Sequence, residues 1–362
     1  MLKTSQSVKS PTVDRLLNLW AQRYTVDLSP LSLENEAFPD SLLKASSPEG
    51  RALTATKLKD NVLDINCNMA WIQTKTLYSY IPNILDLNEA RRITQFAFRV
   101  YRKVLEVYQK QSINSASVSA ASNGNSLSIW GIPAIEELAY ALEPILMVFQ
   151  EQHIISKDWR ALGFLTTQLN FSNSLILKKL TPSEKILFAS YLNFVEEQVA
   201  MPWQRVSNQS AKYELNSPEF IIVEQMLPSS RDIAQSVYNR LGELLPNHRS
   251  RRGTLSDSGV THSCLRDLNM FQAYLWLCFL EKSMAPFEEE LLPLCQMVVE
   301  GVEIKWEMTE KWCQVLGDEI ISRVNPEQKA LLLPYTEGMQ EIFLKERSRL
   351  GFPEESAESA VW

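Results

Sequence analysis

Three histidines, five cysteines and a few carboxylate runs are the residues of this 362-residue chain with the most obvious capacity for chemistry. His262-x-Cys264 is the one pair of soft metal ligands at close spacing. Two ligands do not make a zinc site, and no C-x-x-C or H-E-x-x-H supplies the rest. The inward-facing Glu-x-x-His pair of helical di-metal proteins is also missing. No G-x-x-x-x-G-K-[ST] or G-x-G-x-x-G cradles phosphate, and no G-x-S-x-G presents a serine nucleophile. His153 reads as a histidine near a helix end, and Glu288-Glu289-Glu290 as a solvated charge run. The expectation is therefore a chain without metal, cofactor or catalytic machinery.

Surface chemistry offers more. On a helix starting at Ser230, residues Arg231, Gln235, Asn239 and Arg240 form an outer face opposite Ile233, Val237, Leu241 and Leu244. Their side chains suit base edges and phosphates. Arg249, Arg251 and Arg252 follow in a loop able to track a nucleic-acid or other anionic backbone. With Pro218–Leu227 as a preceding helix and Pro228–Ser230 as a turn capped by Ser230, the region 218–252 has a helix-turn-helix outline. A basic stripe of Arg92, Arg99, Lys103 and Lys110 falls within about 40° on another helix. Glu300, Glu303, Glu307 and Glu310 follow i, i+3, i+7, i+10 as an acidic partner face on one side of a helix, where like charges call for a cation.

The elements that position these residues are helical. Glycine is scarce, 11 residues, which disfavours propellers, β-helices and dinucleotide-binding sheets. Asp86-x-x-Glu89, Thr181-x-x-Glu184 and Asn325-x-x-Gln328 are capping boxes, two of them followed by proline at the first helical position. Ile93, Ala97, Val100, Tyr101, Val104 and Tyr108 recur at helical spacing. Met270–Leu280 is the greasiest run, but it is short of the ~20 residues that span a bilayer, so it reads as a buried helix. A helical region also covers about 51–79. The fold class expected is all-α, bundle-like, with little or no β-structure. Its expected domains are 1–110, a Ser/Asn/Ala linker at 111–128, a larger helical domain at 129–350 and an acidic tail at 351–362.

The cysteines are odd in number and widely spaced, which fits reduced thiols. With no signal-peptide pattern at the start, the expected location is cytoplasmic, with no membrane partner. The formal charge of −7 is uneven: residues 281–362 hold 8 Lys+Arg and 17 Asp+Glu. The function expected is a non-enzymatic regulatory or adaptor protein acting through helix-face contacts with a protein partner, a homo-oligomer being one form of it. The alternative is a DNA-binding transcriptional regulator using 218–252.

Overall fold

A computed structural model of the chain describes residues 9–27, 38–78, 87–110, 129–130, 135–156, 160–302 and 304–351. The chain is all-α: among the described residues helices account for nearly all of the regular structure, and the strands form only two short ribbons. Its described residues divide into two compact units, one within Trp20–Ala200, the other combining Lys9–Leu19 with Met201–Gly351. The segment 111–128 lies outside the described residues. The helices on either side of it belong to the same unit.

The Trp20–Ala200 unit takes the last turn of α1 (Pro11–Gln22), then α2 (Phe38–Ser46), α3 (Pro48–Lys57), α4 (Asp60–Leu77) and α5 (Leu87–Lys110). It continues with α6 (Ile135–Ser156), α7 (Arg160–Leu177) and α8 (Pro182–Ala200). A two-residue ribbon pairs β1 (Val26–Asp27) with β2 (Ile129–Trp130). All six periodic residues of α5, from Ile93 to Tyr108, are buried. α5 packs against α3, α4, α6 and α7. Tyr108 sits edge-on to Phe188 and Tyr191 of α8. The α8 capping box forms as the spacing implies, with Thr181 N–H donating to Glu184 and Glu184 N–H to the Thr181 hydroxyl. Between α2 and α3 the backbone doubles back so tightly that a Cβ on Gly50 would lie 2.1 Å from the Lys44 carbonyl oxygen. No other residue fits there.

The second unit is arranged around one buried helix. After α9 (Trp203–Gln209), α10 (Pro218–Met226) and α11 (Ser230–Leu244) comes a hairpin of β3 (Arg249–Ser250) and β4 (Gly253–Thr254). Then α12 (Ser258–Glu281) runs through the core, its residues Leu268–Leu280 buried without interruption. The run Met270–Leu280 is thus apolar on nearly every side because neighbours surround it: α9, α10, α11 and α15 (Pro326–Arg349) all pack on α12, and Gln272 within the run donates to the Ser230 carbonyl. Phe271 contacts the rings of Phe287, Trp312 and Phe343.

Beyond α12, a π-turn at Phe287–Leu291 leads straight into α13 (Leu292–Val302), with Pro293 as its second residue, where a missing N–H costs little. α14 (Trp306–Ser322) follows, and α15 then opens with a complete capping box at Asn325 and Gln328.

Candidate functional site

Several buried charges pair with groups distant in sequence. In the 201–362 unit, Arg205 donates to Glu290 at 2.9 and 3.0 Å, and the Tyr274 hydroxyl donates to the same carboxylate at 3.2 Å. Glu290 is therefore buried, contrary to the solvated run expected at 288–290, where only Glu288 and Glu289 are exposed. Its cation is 85 residues away in sequence, and no local pattern announces it. In the other unit, Arg23 and the Tyr24 hydroxyl both donate to Glu197. Lys57 there pairs with Glu184 at 2.7 Å. A buried charge left unpaired is costly, so removing one partner of such a pair would destabilise the fold more than the pair itself stabilises it.

Burial also disfavours the thiolate form of the cysteines. It pushes the thiols of Cys67, Cys264 and Cys278 up to about 12, and it raises Cys295 and Cys313 as well. A thiol so raised is almost wholly protonated near neutral pH, which makes it a poor nucleophile and metal ligand. All five are free cysteines. Among the described residues no group of three or more His, Cys, Asp or Glu side chains is placed to hold a metal ion, and no helix is long and apolar enough to cross a membrane.

The region 218–252 folds as two helices, joined by a single 3-10 turn at Leu227–Ser229. Ser230 does not cap α11. It is the first residue of that helix, fully buried, and its carbonyl accepts from the Gln272 side chain at 2.9 Å. Ile233, Val237 and Leu241 face inward, but Leu244 is 43% exposed, because the helix ends there and its last turn leaves the core.

On the outer face Arg231, Gln235, Asn239 and Arg240 are all exposed. Gln235 donates to Asn239 at 2.8 Å, and Arg240 pairs with Glu243 at 3.4 Å. The expected loop at 249–252 is the hairpin β3–β4, with Arg251 and Arg252 at its tip. Arg249 and Arg251 are exposed, whereas Arg252 donates to Ser263 at 3.0 Å and ties the tip to α12. His248, just before the hairpin, is held below the usual histidine range by partial burial and by the Lys305 ammonium, against the pull of Glu307. Four of the residues expected to meet an anion thus lie on the outer face of α11, and the other three lie on the hairpin that follows it.

The other two patches fare differently. On α5, Arg99 and Lys110 are exposed, while Arg92 pairs with Glu89 and Lys103 with Glu106 at 3.0 Å on their own helix. The acidic face does not lie on one helix, since α13 ends at Val302 and α14 begins at Trp306. The Glu300 side chain and all of Glu303 lie outside the described residues. Glu307 is half-buried, and Glu310 finds its cation in the buried Arg347 of α15.

One surface was not foreseen. On α4, Leu63, Asn66, Cys67, Ala70 and Thr74 enter the core, while on the opposite side Ile65, Met69 and Ile72 stand 55%, 46% and 63% exposed. Helical spacing of 100° per residue puts these three within about 60° of one another. An open pocket of about 410 Å³ adjoins the start of this helix, between Lys59–Asn61 and the Arg102–Gln109 edge of α5. The signal was present in the sequence as a helix apolar on two sides, a pattern that does not say which side packs. Compared with family models, with curated proteins and with solved structures, the chain matches none.

Proposed function

We propose that the chain is a cytoplasmic regulatory or adaptor protein whose contact surface is the outer face of α4. The observation that carries this reading is the row Ile65, Met69 and Ile72, three large apolar side chains in helical register with more than two-fifths of each in solvent. Single exposed apolar residues are ordinary, but an aligned row on one helix is the form taken by helix-in-groove and helix-on-helix recognition. A role by contact rather than by catalysis agrees with the paired buried carboxylates and the raised thiols. The five free cysteines agree with a reducing compartment.

A photocrosslinking residue at Ile72, in the full chain within its native host, tests this. It is expected to capture a defined polypeptide, and the adduct should vanish when Ile65 is also changed to Asp. A crosslinker at Gln109, exposed on α5, should capture nothing of the same size. No adduct at Ile72 would refute the assignment.

A second reading is favoured by a separate observation: Arg231, Gln235, Asn239 and Arg240 are exposed on one helix, followed by a hairpin bearing Arg249 and Arg251. On this reading the chain is a DNA-binding regulator. It requires a specific mobility-shift complex whose affinity falls steeply with salt and weakens in Arg249→Ala/Arg251→Ala. Binding that ignores both salt and those arginines would exclude it.

A further inference from the structure

We propose that the occupant of the α4 face is a second copy of this chain, with the two α4 helices antiparallel about a two-fold axis at Met69. This rests on the reading of α4 as the contact surface. The apolar row is part of a longer one. Val62, Ile65, Met69, Ile72 and Thr76 follow the spacing 3-4-3-4, the alternation of a coiled-coil seam over two heptads. Val62 is half-buried and the other four are exposed. The reverse side of the helix is already in the core, so the chain's own packing leaves this seam outward.

Charge selects the partner and the direction. On one side of the helix, about 100–120° round from the centre of the seam, stand Asp64 and Lys75, both exposed and neither paired with another charge among the described residues. The other positions bordering the seam are uncharged: Asn61, Asn68 and Gln73. In an antiparallel pair of identical helices, each flank faces the same flank of its partner. A two-fold axis at Met69 sets position 64 of one copy against position 74 of the other. Asp64 then lies beside Lys75 of the second copy, and symmetry makes the pair twice. A parallel pairing would set Lys75 against the flank of Gln73 and leave both charges without partners. Along α4 itself the antiparallel seam is self-complementary and sets Asp64 and Lys75 beside opposite charges rather than like ones.

The test uses the full chain. Sedimentation velocity over a concentration series is expected to show a reversible monomer–dimer equilibrium. Ile65→Asp/Ile72→Asp should raise the dimer dissociation constant by about tenfold or more, equivalent to ~1.4 kcal/mol or more. These side chains are exposed, so the variant should retain its helical circular dichroism and melting temperature. Asp64→Lys should weaken the dimer, and Asp64→Lys/Lys75→Asp should restore it. Met69→Cys, on the axis, should form an intermolecular disulfide on mild oxidation, whereas Gln109→Cys should not.

A chain that stays monomeric throughout, or a dimer indifferent to Ile65→Asp/Ile72→Asp, would overturn the second-copy assignment. Failure of the double charge exchange to restore the dimer would overturn the antiparallel alignment. If the chain is monomeric while the Ile72 photocrosslinker still captures a different polypeptide, the contact surface stands and only the identity of its occupant falls. If neither occurs, both readings fall together.

Discussion

Glu184 accepts from Lys57 at 2.7 Å, from the Thr54 hydroxyl at 3.1 Å and from the Thr181 N–H at 2.8 Å. Burial by itself would raise its pKa, but the Lys57 ammonium and the Thr181 donors outweigh that and hold the carboxyl below the usual range. The folded value is thus lower than the unfolded one, about 4.3. The resulting stability is fully present above the unfolded value and is lost as pH falls through the folded value. Glu184→Gln is expected to lower the melting temperature at neutral pH, with the gap from wild type closing below about pH 4 in thermal melts. Asn325 accepts from Gln328 N–H at 2.9 Å within a full capping box, so Asn325→Ala should cost about 1 kcal/mol by denaturant titration. The Thr181 and Asn325 caps were legible from sequence because cap and acceptor are three residues apart. Glu290 was not, because the residue that makes its burial tolerable, Arg205, comes from a distant helix.

At the scale of elements, α4 and the β3–β4 hairpin carry the sharper expectations. Leu63 on the inner side of α4 is buried, and Leu63→Ala should cost about 2–5 kcal/mol. Ile72→Gln on the outer side should change monomer stability by less than about 0.5 kcal/mol. Chemical denaturation of the two variants separates a helix packed on one face from one packed on both. In the hairpin, Gly253 has φ +128°, and a Cβ there would lie 2.4 Å from an Asp257 carboxylate oxygen that accepts from Thr254 N–H at 2.7 Å. Gly253→Ala combines backbone strain with displacement of that carboxylate, for about 1–3 kcal/mol. Faster amide exchange at Thr254 would report it. Sequence reading placed the arginines correctly near one another but took the segment for a loop. A two-residue ribbon has too few alternating residues to register as a strand.

For the whole molecule, the two compact units have separate cores, one around α5 and α8, the other around α12. Trp276 is fully buried in the second, so Trp276→Ala should cost about 3–5 kcal/mol, seen first as faster hydrogen exchange in α12, α14 and α15. Sequence alone determined the all-α class, the buried character of Met270–Leu280, the inner face of α5 and two of the helix starts. Each is a local property: a period of 3.6, a cap three residues from its acceptor, a run too short for a bilayer. Only the tertiary structure decided that Glu290 is buried, that Glu310 is met by Arg347, that the acidic row is split between two helices, and which side of α4 remains in water. Those outcomes depend on which distant elements supply neighbours. A helix with apolar residues on two faces, or a carboxylate in a charged run, carries no local mark of the partner that will claim it.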